Sequence, residues 1–361
     1  MSGTTASSDA EVTDTTVRGM VRTLEPTWTV ASIERSPYGT DFVAVLTVET
    51  DDERRQVALK ATTAGLVDST IARSEPRMLD LVGRETTIPV PGVVGYCDDH
   101  EVYPAPFFLL EYVDGENYEV RADSLDAVAR ERIVYEAGTN LARLHSLGPL
   151  PAYGRIGVSK GRLTVLDTDD YPRFADFQEK LLADVTETLD ALTEGGFFPE
   201  LANDPDRFAD VVPDARSYLD ATIPTLPASD PSTYNHWDCR YGNLLIDPET
   251  GATRAVLDWA NLSVADPAYN LAKVEVRLLS PENDGLERTK QLRGTFRSAY
   301  RRERPSWTFD DATLERMELY RLTDRLDAMA CLPLWYADAG RRTRRASGGA
   351  PCVRRSILLK R

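Results

Sequence analysis

The densest run of chemistry-bearing side chains is His236-Trp237-Asp238-Cys239-Arg240-Tyr241-Gly242-Asn243, followed by Leu244-Leu245-Ile246-Asp247 and by Ala255-Val256-Leu257-Asp258-Trp259. Residues 243–247 and 254–259 read as two strands, with Pro248-Glu249-Thr250-Gly251 as the turn between them. A hairpin centred on Thr250 and Gly251 sets Asn243 opposite Asp258, and facing pairs of such a ladder lie about 4.5–5.5 Å apart. An amide oxygen and a carboxylate then share the open end of the hairpin, and Asp238 sits on the loop entering it. Oxygen donors of this kind suit Mg²⁺, which keeps waters and takes one or two carboxylates plus substrate phosphates. Phosphoryl transfer needs such a set, because metal must bridge the phosphates while a carboxylate orients the acceptor hydroxyl and takes its proton.

Two kinds of element must position these groups. Residues 27–33, 41–50 and 55–61 are rich in β-branched and apolar side chains and read as three consecutive antiparallel strands. A helix is expected around Pro76 to Val82, since proline is tolerated in a first turn. Val93 to Tyr96 and Phe107 to Tyr112 read as two further strands, giving a five-stranded antiparallel sheet with one inserted helix. After Gly115 the apolar period becomes helical. Leu125, Val128, Ala129, Ile133, Val134, Ala137, Leu141 and Leu144 follow three- and four-residue steps, as do Phe174, Phe177, Leu181, Val185, Leu189 and Leu192. Further helices are expected near 206–221, 268–279, 284–302 and 311–338. The expected organisation is a disordered arm over 1–26, a sheet lobe over 27–114, a mainly helical lobe over 115–340 and a basic tail over 341–361. From Arg341 onward the chain holds eight Arg and Lys and no acid, which reads as a solvated tail.

The order His-x-Asp-x-x-x-x-Asn, hydrophobic strand, second Asp is that of a kinase catalytic loop. With Leu257-Asp258-Trp259 and Ala265-Asp266-Pro267-Ala268-Tyr269-Asn270-Leu271-Ala272, the chain resembles the aminoglycoside phosphotransferase family, relatives of choline and homoserine kinases in the protein-kinase-like superfamily, over residues 28–335. The resemblance implies an α+β protein-kinase-like bilobal fold and ATP and Mg²⁺ as cofactors. It implies Asp238 as catalytic base, Asn243 and Asp258 as metal ligands, and Asp266 with Pro267 as braces of the loop. Trp237 and Ala260 stand where the family commonly has glycine, and Asn270 replaces a frequent aspartate.

Within the same resemblance Val57-Ala58-Leu59-Lys60 matches the strand-three lysine motif. A compact ammonium suits nucleotide phosphates, the alternative being a surface lysine on an edge strand. Glu75 takes the place of the glutamate that pairs with that lysine, or is an acid favoured by a helix N-terminus. Phe108-Leu109-Leu110-Glu111-Tyr112-Val113 resembles the hinge that meets adenine through backbone groups near Glu111 and Val113. Backbone amides near Gly39, in Ser36-Pro37-Tyr38-Gly39-Thr40, either cover the phosphates or form a plain hairpin turn. His236 is expected to hold the loop by hydrogen bonding, His145 to pack or cap a helix, and His100 to lie in an exposed turn. Arg240 touches phosphate or substrate, or pairs with an acid.

Composition narrows the alternatives. A net charge of −16 over 361 residues argues against a nucleic-acid partner. No run approaches ~18 consecutive apolar residues, so no membrane span is expected. The polar, acidic start lacks signal-peptide features, and the cytoplasm is the expected location. Cys97, Cys239, Cys331 and Cys352 are far apart and suggest neither zinc site nor disulfides. Only six lysines accompany many surface acids, a balance like that of proteins from salt-loaded cytoplasms. The resemblance, rather than the composition, implies a small hydroxylated metabolite or an aminoglycoside-like substrate as the partner. Two rivals are a nucleotide-binding pseudokinase, against which the intact Lys60, Asp238, Asn243 and Asp258 count, and a kinase acting on proteins, against which the absence of Asp-Phe-Gly and Ala-Pro-Glu counts.

Overall fold

The computed structural model describes residues 12–36, 41–63, 67–119, 121–279 and 281–343. Gly39 and the tail beyond Thr343 lie outside them. Five strands form one antiparallel sheet: β1 Thr29–Arg35, β2 Phe42–Glu49, β3 Arg54–Ala61, β4 Val93–Cys97 and β5 Phe107–Glu111, in the order β1-β2-β3-β5-β4. Because side chains alternate across a pleated strand, Ala44, Leu46 and Val48 of β2 and Val57, Leu59 and Ala61 of β3 share one fully buried face. Lys60 projects from the opposite face.

The buried face is covered by α1, Asp14–Leu24. Here the expected disordered arm is corrected: Val17, Met20 and Val21 recur at helical spacing, join one apolar core with the sheet residues, and are fully buried. Thr13 caps the helix, its side-chain oxygen accepting the Thr16 amide at 3.2 Å. Burying three such side chains contributes on the order of 1.5–3 kcal/mol each, enough to order a segment whose composition alone suggested an arm. Between β3 and β4 lie α2, Ser69–Ala72, and α3, Ser74–Glu85, which holds Pro76 in its first turn.

The remaining elements are α4 Ala127–His145, β6 Gly154–Ser159, β7 Arg162–Val165, α5 Phe177–Thr193, α6 Val212–Thr222, β8 Thr233–Asn235, β9 Leu244–Ile246, β10 Thr253–Val256, β11 Ser263–Ala265, α7 Pro267–Leu278, α8 Pro281–Glu303 and α9 Asp311–Thr343. The helices fall where the 3.6-residue period places them. The four-stranded sheet β7-β6-β11-β8 was not anticipated. Its hairpin turns at Lys160 and Gly161, both at positive φ (50° and 76°), the geometry of a tight two-residue connection.

The chain divides into two compact units, Met1–Phe177 with Pro227–Met317, and Gln178–Leu226 with Glu318–Arg361. The first holds every side chain of the candidate site. Within it, Glu116 and Ile246 exchange two backbone hydrogen bonds, at 2.8 and 2.9 Å, and so fasten the segment after the first sheet to the β9/β10 hairpin. The second is helical. Within it Thr188 donates to Asp327 at 2.8 Å and the Phe197 amide to the Ala330 carbonyl at 2.9 Å.

Candidate active site

The site begins with β3. Lys60 pairs through its backbone with Val43 on one side and Phe108 on the other, so β3 is a central strand and the edge-strand reading fails. Its ammonium donates to Glu75 Oε2 of α3 at 2.7 Å and to Asp258 Oδ1 at 3.1 Å. Burial alone would lower the Lys60 pKa, but the negative charges of Glu75 and then Asp258 outweigh it, so the group is held firmly protonated. Burial pushes the Glu75 carboxyl up against the pull of Lys60. The Lys60 charge holds the Asp258 carboxyl below its usual range.

Asp258 reaches this position through a departure from regular backbone. The β9/β10 register slips between Thr253 and Ala255. Val256 therefore faces Leu244, and the Leu257 amide donates to the Asn243 carbonyl at 2.8 Å. The expected facing pair is thus corrected by one residue: the turn closes with Asp247 opposite Ala252, which alone would set Asn243 against Val256, and the extra residue at 254 advances the pairing to Leu257. Asn243 opposes Leu257, and Asp258 lies just past the ladder at φ 62°, in the left-handed region. Trp259 behind it is fully buried and donates to the Val256 carbonyl at 2.9 Å.

The loop between β8 and β9 gathers a second set of groups around Asp238. Arg240 Nε donates to both carboxylate oxygens at 3.2 Å. Asn243 Nδ2 donates at 2.9 Å to Oδ2 and at 2.9 Å to the Asp238 carbonyl. Arg277, from the last turn of α7, adds a guanidinium 3.3 Å from Oδ1. Arg240 also pairs with Glu119, and the ends of both side chains lie over Gly242, where a side chain would push them aside.

Behind the loop the polar groups are paired. His236 Nε2 meets the Leu257 carbonyl at 3.0 Å, tying the loop to the hairpin, and burial lowers its pKa. Asn270, fully buried on α7, accepts from the His236 amide at 3.2 Å and donates to the His236 carbonyl at 3.0 Å. His145 lies between Asn270 Oδ1 at 3.0 Å and the Tyr300 hydroxyl at 2.8 Å, with burial lowering its pKa to about 3. Asp266 caps α7 through the Ala268 amide at 3.0 Å and pairs with Arg316 Nε at 2.9 Å. Cys239 faces an apolar interior, where burial pushes its thiol up to about 12.

Of the residues singled out from sequence, Lys60, Glu75 and Asp258 thus form one hydrogen-bonded group and Asp238 and Asn243 another, with His236 and Asp266 behind the second. Glu111 ends β5, exposed, its amide bonded to the Gly92 carbonyl at 2.8 Å, and Val113 is half-buried two residues on. His100 stacks on Tyr103 with ring centroids 4.4 Å apart and accepts two backbone amides, so it organises its turn. Sequence reasoning missed Arg277 and Glu119. The helical period puts Arg277 one turn beyond Lys273, but only the crossing of α7 behind the loop reveals that it reaches Asp238.

A lysine on a central strand held between two carboxylates, beside an aspartate-bearing loop that a β-hairpin closes, defines a phosphotransferase of protein-kinase-like fold. The chain belongs to the phosphotransferase enzyme family, whose model matches residues 44–307. Solved structures agree on the fold. It is similar to the aminoglycoside phosphotransferase APH(2″)-IIia, solved with GDP and kanamycin, at TM-score 0.55 and 16% identity over 90% of this chain and 92% of that one. It is similar to APH(4)-Ia, solved with AMP-PNP and hygromycin B, at TM-score 0.53 and 16% identity over 91% and 98%. It is similar to APH(3″)-Id from Streptomyces rimosus, solved with ADP and streptomycin, at TM-score 0.51 and 17% identity over 87% and 98%. Among curated proteins, it is 26% identical over 187 residues to acyl-CoA dehydrogenase family member 10 of Mus musculus, a match spanning 51% of this chain and 15% of that protein. Among the described residues no helix is long and apolar enough to cross a membrane.

Proposed function

We propose that the chain transfers the γ-phosphoryl group of ATP to a hydroxyl of a small molecule, and that the Lys60 ammonium, hydrogen-bonded between Glu75 and Asp258, is the observation that carries this reading. Lys60 is fixed, charged and presented on the face of the sheet away from α1, where it would meet nucleotide phosphates. Asp238 would accept a hydrogen bond from the acceptor hydroxyl. The bond from acceptor oxygen to γ-phosphorus forms as the bond from that phosphorus to the bridging oxygen breaks. The hydroxyl proton passes to Asp238 and then to water, and ADP leaves. Backbone groups near Glu111 and Val113 would receive the adenine.

Asn243 and Asp258 fit a Mg²⁺ ion by the chemistry of their donors. Asn243 spends its Nδ2 on Asp238, which leaves its Oδ1 as an oxygen donor, and the Asp258 side chain is 45% exposed. Bound there, Mg²⁺ would neutralise phosphate charge. His236 and Asp266 would serve by holding the loop and the start of α7.

The test is ADP formation from Mg-ATP across a panel of hydroxylated metabolites and aminoglycosides, at low and high KCl, with Asp238→Ala as control. We expect that variant to fall by about 10²-fold or more in turnover, the usual scale for loss of a positioned base. Turnover near that of the unaltered protein would end the assignment. Nucleotide binding without transfer to any acceptor would favour a pseudokinase.

A further inference from the structure

Asp238 can serve as a base only if one of its oxygens is open to the acceptor hydroxyl, yet both are engaged. Oδ2 holds Arg240 Nε and Asn243 Nδ2, and Oδ1 holds Arg240 Nε and Arg277. Arg240 and Asn243 belong to the loop itself. Arg240 is secured by Glu119, and Asn243 by the Asp238 carbonyl. Arg277 comes from another element, makes the longest of these contacts at 3.3 Å, and keeps 20% of its side chain exposed. Oxygen Oδ1 is therefore opened by displacing Arg277.

Separating a guanidinium from a carboxylate in a half-buried site is costly unless another anion takes the carboxylate's place. The guanidinium is also supported independently of Asp238. It lies 5.3 Å from the centre of the Trp237 indole, over the ring, and Lys273, one turn earlier on α7, lies 5.6 Å from the same ring. Trp237 is fixed in turn by its Nε1, which donates to the Asn261 carbonyl at 3.0 Å.

We propose that the acceptor carries a carboxylate or phosphate a few atoms from its reactive hydroxyl, and that Arg277, stacked on Trp237, exchanges Asp238 for that anion when the acceptor binds. This rests on the phosphotransfer reading and names the class of substrate it acts on. A planar guanidinium pairs with such an anion through two parallel hydrogen bonds. The hydroxyl then takes the position at Oδ1 that Arg277 leaves. Polycationic acceptors of the kind named for the similar structures would meet a guanidinium at this point.

The test uses the full chain with Mg-ATP and three acceptors on one diol skeleton: D-glycerate, glycerol and 3-aminopropane-1,2-diol. ADP release should favour glycerate over both others by about tenfold in kcat/KM, the scale of one charge-assisted pair. Arg277→Gln should raise the KM for glycerate about tenfold and leave that for glycerol within about twofold, and Arg277→Lys should restore part of the loss, since the ammonium pairs only as a point charge. Preference for the aminodiol, equal losses on glycerate and glycerol, or no response to glycerate overturns the proposal. If glycerol or the aminodiol is then turned over in a manner that Asp238→Ala abolishes, the phosphotransfer reading survives alone. If none is turned over and Asp238→Ala changes nothing in ADP release, both fall.

Discussion

The two halves of the candidate site are electrostatic opposites. On the sheet side one cation, Lys60, is shared by two carboxylates, Glu75 and Asp258. On the loop side one carboxylate, Asp238, is shared by two guanidiniums, those of Arg240 and Arg277. The sheet side has carboxylate to spare, which suits a metal-bound triphosphate. The loop side sets two guanidiniums, Arg240 and Arg277, against the carboxylates of Asp238 and Glu119, so an anion on the acceptor would take the place of Asp238 on Arg277. Net charge says nothing of this, because a chain at −16 spreads acid over its whole surface. What decides is which element each charge stands on. Lys60 is locked into a central strand, whereas Arg277 stands in the last turn of a helix, between the Asp238 carboxylate and the face of Trp237.

If the two sides work independently, damage to one should leave the other's Michaelis constant alone. The largest effect is expected for Lys60→Met. It should lower kcat/KM for nucleotide by about 10²-fold, because a phosphate clamp in a half-buried site is lost, with acceptor KM nearly unchanged. A comparable rise in acceptor KM would mean that the two sides are coupled. Glu75→Gln keeps a hydrogen bond to Lys60 but removes a charge, and should cost about tenfold in the same constant. On the other side, Trp237→Leu should raise acceptor KM by about fivefold, the value of one partly exposed cation–π contact, with nucleotide KM unchanged. Steady-state kinetics in both substrates checks all three.

The parts of the molecule legible in the sequence were those whose signal is periodic or punctuated. The alternation of β2 and β3, the prolines at 76, 89 and 91, and the three- and four-residue steps of α4 and α5 each fix an element locally. The grouping of Lys60 with Asp258, and of Asp238 with Asn243, was legible because types and spacing survive in one dimension. Three features were not. The register slip at residues 253–255 is one extra residue in a short ladder, which no composition marks. The apolar spacing of Val17, Met20 and Val21 was present but outweighed by polar neighbours. The contact of Arg277 with Asp238 spans 39 positions and depends on how a helix crosses a loop.

A smaller effect should appear on both sides together, because His145 and Asn270 hold the His236 backbone on which the loop depends. Buried neutral, His145 has its pKa lowered from 6.5 to about 3. The unfolded chain therefore binds a proton there at a pH where the folded chain does not. The stability that neutral His145 contributes is complete above pH 6.5 and is lost as pH falls from there toward about 3. Thermal unfolding from pH 7.5 to 4.5 should show the melting temperature falling, with a shallower slope in His145→Gln. An unchanged slope would remove His145 as the cause. The smallest effect concerns the surface charge: melting temperature and turnover should rise with KCl as self-repulsion is screened, and a maximum at low salt would dismiss the resemblance to salt-adapted proteins.

The helix over residues 14–24 has a practical consequence. It is a layer of the first sheet, and a chain trimmed to begin at Thr27 would lose Val17, Met20 and Val21 from the core they form with Ala44, Leu46, Val48, Val57 and Leu59, and so uncover apolar surface on that face. Such a surface drives self-association. Shortened versions designed from the apparent polarity of the first residues would then precipitate, and their inactivity would say nothing about Lys60 or Asp238.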